Sequence, residues 1–179
     1  MRLVILDRDG VINEDSDYYI KSADEWRPIP GSIQAVARLT CAGFTVAVAT
    51  NQSGIGRGLF DLNALDEMHH KLTTLVNAAG GEIAKIAYCP HHPDDRCDCR
   101  KPATGLVKQI EKELLISAKH AWLVGDSLKD IQLAQSCECK PVLVLTGKGK
   151  KTFLQLKENK SLQETLVFPD LAAFANAIT

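Results

Sequence analysis

Six short aliphatic runs, separated by stretches of helical periodicity, constrain the fold of this chain more than any other feature. The runs are RLVILD (2–7), FTVAVAT (44–50), IAKIAYC (83–89), AWLVGD (121–126), PVLVLT (141–146) and TLVF (165–168). Between them, apolar residues recur at helical spacing over 31–42, 61–79, 104–116, 127–137 and 170–178, each stretch opened or closed by Gly, Asp, Ser or Thr. A strand buried on both faces reads as a continuous apolar run, and strand–helix alternation joins successive strands in parallel. The expected fold class is therefore α/β, a doubly wound parallel sheet with helices on both faces. Ligands of such sheets bind beyond the carboxyl ends of the strands, so the polar residues at those ends carry the chemistry.

Four ends are informative. The first run delivers Asp7 and Asp9, two carboxylates so close that a cation or a proton is needed to hold them together. The second delivers Thr50, Asn51, Gln52 and Ser53. The third leads through a Cys/His segment to Arg100 and Lys101, and the fourth delivers Asp126, Ser127 and, one helical turn on, Asp130. Taken singly, each reads as a turn or a helix cap. Asp130 can orient a metal-bound water or Lys101, or face solvent.

The segment CPHHPDDRCDCRKP (89–102) carries Cys89, His91, Cys97 and Cys99 in a C-x-H-x5-C-x-C pattern. Residues two apart on extended chain point the same way, so each pair can clip a metal from one side. Three thiolates and one imidazole favour tetrahedral Zn2+, and four protein ligands leave no open position, so this zinc is expected to be structural. His92 is an alternative ligand to His91. The clipped loop, 89–101, would present Arg100 and Lys101. Cys41, Cys137 and Cys139 have no comparable cluster, and His69, His70 and His120 read as ordinary polar residues.

In this order, DRDGVI, TNQ, RKP and GDSLKD resemble the four motifs of the haloacid-dehalogenase-like (HAD) phosphohydrolases over residues 7–130. The resemblance implies Asp7 as the nucleophile that forms an aspartyl phosphate and Asp9 as the general acid/base. Thr50 and Lys101 would hold the transferring phosphoryl group, and catalytic Mg2+ would sit among Asp7, the backbone carbonyl of Asp9 and Asp126, with Asp130 in support. A carboxylate can approach an anionic phosphate monoester only if such charges are neutralised.

Intervals of this length between the motifs leave no room for the cap domain common in that superfamily, so recognition should fall to loops 14–28, 53–60 and 90–101. The capless, zinc-bearing pattern is similar to two branches of the family, the D,D-heptose 1,7-bisphosphate phosphatases and the histidinol-phosphate phosphatases. TNQSGIGRG (50–58) favours the heptose branch, because a bisphosphate needs a second cationic anchor and Arg57 can supply it. DSDYY (15–19) resembles the other substrate loop of that branch, with Asp15 and Tyr18 available to sugar hydroxyls. The resemblance thus implies removal of the C7 phosphate on the route to ADP-heptose and lipopolysaccharide, with Asn51, Gln52, Ser53 and Arg100 also contacting substrate. Histidinol-phosphate hydrolysis in histidine biosynthesis stays open as the alternative. Outside hydrolases, a phosphoacceptor signalling domain uses similar groups, but an acid/base two residues from the nucleophile favours turnover over a lasting phosphate.

At 179 residues, of which 45% are hydrophobic, the chain suits one domain spanning 1–179. A formal net charge of -1 offers no global attraction for nucleic acid or anionic membrane. No apolar run reaches membrane-span length, and the N-terminal run is interrupted by Asp7. A cytoplasmic monomer acting on a small phosphorylated sugar is expected.

Overall fold

A computed structural model describes residues 2–159 and 164–179. Its first half runs β1 (Arg2–Leu6), α1 (Ser32–Cys41), β2 (Phe44–Asn51), a single turn α2 (Ser53–Gly56), α3 (Leu62–Ala78) and β3 (Lys85–Cys89). The second half runs through a 3-10 turn at Pro93–Asp95 to α4 (Gly105–Leu114), β4 (Trp122–Gly125), α5 (Leu128–Ser136), β5 (Lys140–Val144), α6 (Gly149–Glu158), β6 (Leu166–Phe168) and α7 (Leu171–Ile178). The six strands form one sheet in the order β3-β2-β1-β4-β5-β6, and every pairing is parallel.

Burial on both faces explains the unbroken apolar runs. Along β1, Val4 and Leu6 point into a core built with Trp26, Leu39, Leu72 and Phe174, while Leu3 and Ile5 point into a second core with Leu106, Ile110 and Leu133. Helices α1, α3 and α7 cover the first face, and α4 and α5 the second. Caps fix where the helices begin: Asp61 accepts from Ala64 N, Asp170 from Ala173 N, and Ser127 with Asp130 forms a capping box on α5.

The chain steps outward from β1 to β2 and β3, then returns to place β4 on the other side of β1. Strand order therefore reverses between β1 and β4, the place where an open α/β sheet opens a crevice at its carboxyl edge. Asp7 and Asp126 leave the sheet at that point, and Asp7 N continues the ladder by donating to Val124 O at 2.9 Å.

The single turn α2 falls within the expected loop 53–60, and helix α6, Gly149–Glu158, is not among the helical stretches expected from sequence. Its buried positions are only Gly149, Thr152 and Leu156, and the rest of GKKTFLQLKE is largely polar, so its apolar stripe is too thin to read from sequence. Among the described residues, no helix is long and apolar enough to cross a membrane.

Candidate active site

The two carboxylates after β1 have opposite surroundings. Asp7 Oδ1 accepts from Arg8 N at 2.7 Å and lies 2.8 Å from Lys101 Nζ. Burial, with Asp130 and Asp126 nearby, holds its pKa well above the usual carboxylate range, although Lys101 opposes the shift. Partial burial of Asp9 pushes its pKa up, but the Arg8 charge and hydrogen bonds from Asn13, Arg8 and Gln52 outweigh this and hold it below the usual value. Asn13 Nδ2 and Arg8 Nη2 donate to Asp9 Oδ1 at 2.8 and 2.9 Å, and Gln52 Nε2 donates to Oδ2 at 2.8 Å. Without metal, Asp7 is therefore the weaker acid of the pair and Asp9 the stronger.

Lys101 is almost fully buried, and its charge is satisfied twice. Nζ donates to Asp130 Oδ1 at 2.7 Å as well as reaching Asp7. Its pKa is driven up despite burial, because the nearby carboxylates Asp130 and Asp7 outweigh desolvation. The other Asp130 oxygen accepts from Ser127 N and Oγ at 3.1 and 2.6 Å. Of the placements open from sequence, the structure seats Asp130 on Lys101, at 0% exposure and away from solvent. Asn51 fixes the Lys101 backbone with a reciprocal pair, accepting from Lys101 N at 2.9 Å and donating to Lys101 O at 3.2 Å. Thr50 lies below this layer, buried, and its Oγ1 accepts from Gln52 Nε2 at 2.9 Å.

Asp126 closes the cluster from β4. Lys148 N donates to its Oδ2 at 2.8 Å, and burial followed by the Asp130 charge pushes its pKa up to about 7. The Asp7–Asp9 loop can approach so closely because residue 10 is glycine. Gly10 has φ +83, and a Cβ there would lie 2.1 Å from Asp126 Oδ2.

Oxygens of Asp7, Asp126 and Asp130 lie within 4.8 Å of one another. Hard oxygen donors that repel one another to this degree suit a hard divalent cation such as Mg2+. The Asp9 carboxylate is turned to Arg8, Asn13 and Gln52, which leaves its backbone carbonyl as the group it can offer a metal.

Cys89, His91, Cys97 and Cys99 also converge within 4.8 Å. Sulfur separations are 3.5 Å for Cys89–Cys97 and 3.6 Å for Cys97–Cys99, and His91 Nδ1 lies 3.2 Å from Cys99 Sγ. Tetrahedral Zn–S bonds of ~2.3 Å imply sulfur edges of ~3.8 Å, so the donor set and spacing fit zinc. Of the two histidines, His91 is the one that joins the thiols. His92 Nδ1 instead accepts from Asp94 N at 3.2 Å and caps the 3-10 turn.

A cleft of about 610 Å³ opens above these groups. Asp15, Asn51, Gln52, Ser53 and Arg100 line it together with Asp7, Asp9, Lys101 and Asp126. Two expected substrate residues are not brought there. Tyr18 is 83% exposed and its neighbour Tyr19 faces the cleft instead, while the exposed Arg57 stacks its guanidinium 5.9 Å from the Tyr19 ring outside the lining. Sequence reading missed Lys129 and Gln132 on α5 and Lys148, Lys151 and Gln155 around α6, all of which line the cleft. Their three- and four-residue spacing was visible, but it marks a helix face only once α6 is recognised. His69, read as an ordinary helix residue, lies 3.3 Å from Arg8 Nη1; burial and then the Arg8 charge push its pKa down to about 3.

Comparison with known proteins agrees with this geometry. The HAD-hydrolase-like family model matches residues 98–174. The chain is 56% identical over 177 residues to the D-glycero-beta-D-manno-heptose-1,7-bisphosphate 7-phosphatase of Pseudomonas aeruginosa, covering 98% of this chain and 97% of that protein. Its identity to the protein of the same name from Pseudomonas putida is 52%, with 99% of each covered. A crystal structure of D,D-heptose 1,7-bisphosphate phosphatase from B. bronchiseptica, complexed with magnesium and phosphate, superposes with a TM-score of 0.94 at 48% identity, covering 99% of this chain and 98% of that one. The convergence of Asp7, Lys101, Asp126 and Asp130 beyond β1 and β4 and the near full-length similarity lead to one conclusion: this chain belongs to the D-glycero-beta-D-manno-heptose-1,7-bisphosphate 7-phosphatase family of HAD-like hydrolases.

Proposed function

We propose that this chain is a Mg2+-dependent phosphatase that removes the C7 phosphate of D-glycero-β-D-manno-heptose 1,7-bisphosphate, in the cytoplasm and as a monomer, on the route to ADP-heptose. The single observation that carries the reading is Lys101, buried and held between Asp7 and Asp130 at 2.8 and 2.7 Å at the base of the cleft. An ammonium fixed against a carboxylate neutralises the repulsion between that carboxylate and an incoming phosphate.

Asp7 attacks phosphorus and the bond to the C7 oxygen breaks, with Asp9 delivering a proton to the departing alkoxide. Asp9 then takes a proton from the water that hydrolyses the aspartyl phosphate, which restores the Asp7 carboxylate and the protonated Asp9. Lys101 stays on the phosphoryl oxygens, positioned by Asp130 and Asn51. Asp7, Asp126 and the Asp9 carbonyl would hold Mg2+, which when bound supplies charge neutralisation for the phosphoryl group. Thr50 supports from below the cleft floor through Gln52.

The second phosphate needs cations away from the reacting centre. Arg100, Lys129, Lys148 and Lys151 all line the cleft and can supply them, whereas Arg57 serves at the rim through Tyr19. Asp15, Gln52 and Ser53 face the sugar. Histidinol phosphate, with an amine in place of the second phosphate, would meet like charge at those lysines. Phosphate release from heptose bisphosphate and histidinol phosphate, measured side by side, tests the reading. Higher catalytic efficiency on the bisphosphate is expected, with the C1 phosphate retained in the product; faster turnover of histidinol phosphate would move the assignment to the alternative.

A further inference from the structure

Arg8 sits between the two reacting carboxylates in sequence, yet its side chain is fully buried, with 0% exposure. A guanidinium keeps its charge inside a protein and offers five N–H donors and no acceptor. Such a group is stable in the interior only where acceptors meet it. Arg8 Nε and Nη2 donate to Asp9 Oδ1 at 3.3 and 2.9 Å, and Nη1 lies 3.3 Å from His69 Nε2. Because Arg8 can only donate, His69 Nε2 is the acceptor, and the ring is neutral with its proton on Nδ1. His69 comes from α3, packs on Tyr88 of β3 with ring centroids 6.0 Å apart, and does not line the cleft.

The two Asp9 oxygens are consequently unequal. Oδ1 receives Arg8 Nε, Arg8 Nη2 and Asn13 Nδ2, whereas Oδ2 receives only Gln52 Nε2 among the described residues. An oxygen with its lone-pair directions filled cannot take a proton without losing a partner. We infer that His69 is a positioning residue for the proton transfer: through Arg8 it locks the Asp9 carboxylate so that Oδ2 is the oxygen that exchanges the proton with the leaving group and with water. His69 holds Arg8 from behind, so that the guanidinium meets Asp9 from one fixed direction. Without it, a buried N–H of Arg8 lacks its acceptor, and the guanidinium shifts to find another, carrying Asp9 with it.

This inference rests on the reading of Asp9 as the general acid/base. Its test compares His69→Leu, which removes the acceptor, with His69→Gln, which keeps one, in the intact Mg2+-loaded protein. The substrate is whichever of heptose bisphosphate and histidinol phosphate the wild type hydrolyses, so a wrong substrate and a wrong role for His69 give different results. His69→Leu is expected to lower kcat about ten- to hundredfold with KM within about threefold of wild type. His69→Gln should recover most of kcat, and the melting temperatures of the two variants separate folding from chemistry. A change confined to KM, kcat near wild type in a folded His69→Leu, or a His69→Gln that is folded but as slow as His69→Leu would overturn the inference.

Discussion

At the scale of single residues, the proposed chemistry rests on two aspartates two positions apart in different environments. The sequence shows the pair, and the resemblance implies their roles; it does not show how their surroundings differ. That information lies in contacts distant along the chain: Lys101 and Asp130 for Asp7, Gln52 for Asp9, and His69 through Arg8. Asp9→Asn keeps a polar group of the same shape, so KM should stay within a few-fold while kcat falls about 10²–10⁴-fold. Steady-state kinetics check this, and near-normal kcat would remove Asp9 from proton transfer. The carboxylate cluster also predicts a pH effect. Burial and then the Asp130 charge push the Asp126 pKa up to about 7 in the fold, against about 4 for an ordinary aspartate. Between those values the folded, metal-free protein binds a proton that the unfolded chain has released, so this group costs stability as pH rises. Mg2+ removes that cost by binding the ionised form. Differential scanning calorimetry should therefore show a larger Mg2+-induced rise in melting temperature at pH 8 than at pH 5; an equal rise at both would argue that Asp126 is not part of the metal site.

At the scale of elements, the 89–101 loop, which brings Arg100 and Lys101 to the cleft, and α6, which brings Lys151 and Gln155, were unequally legible. Four metal-ligand residues in eleven positions declare themselves, because few other arrangements bring three thiols and an imidazole together. The choice of His91 over His92 needed the backbone, since only the 3-10 turn shows that His92 is used as a cap. Loss of zinc should loosen Arg100 and Lys101, which follow Cys99 directly. Cys97→Ser is expected to lower both zinc content and melting temperature, and to weaken phosphate inhibition, without removing a group that touches phosphorus. Metal analysis alongside inhibition by inorganic phosphate reads both effects, and a stable zinc-free protein with unchanged phosphate affinity would contradict the role. Helix α6 was missed because its polar composition hid its thin buried stripe, and with it went Lys148 and Lys151. If these lysines and Lys129 hold the phosphate that is not cleaved, the double substitution Lys129→Gln, Lys151→Gln should reduce kcat/KM about tenfold to a hundredfold on the bisphosphate. A simple monophosphate should lose far less; equal losses on both substrates would place these residues at the reacting phosphate or in the fold.

For the molecule as a whole, the architecture was largely legible, since runs apolar on both faces admit little besides a covered parallel sheet. The order β3-β2-β1-β4-β5-β6 then puts the switch point between the strands that carry Asp7 and Asp126. Less legible was which loop residues turn inward: Tyr18 and Arg57 have suitable chemistry but sit outside the lining, while Tyr19 and the α5 and α6 lysines occupy it. Side-chain direction in a loop is set by its packing, and alternation in sequence carries no record of it. The central claim, that Asp7 takes the phosphoryl group, is tested most directly by acid-quenching the enzyme during turnover of heptose bisphosphate and mapping the peptides by mass. The predicted result is a phosphoryl adduct on the peptide containing Asp7, with Asp7→Asn forming none and losing all but a trace of phosphate release. An Asp7→Asn protein that releases phosphate at a rate near wild type would contradict the account.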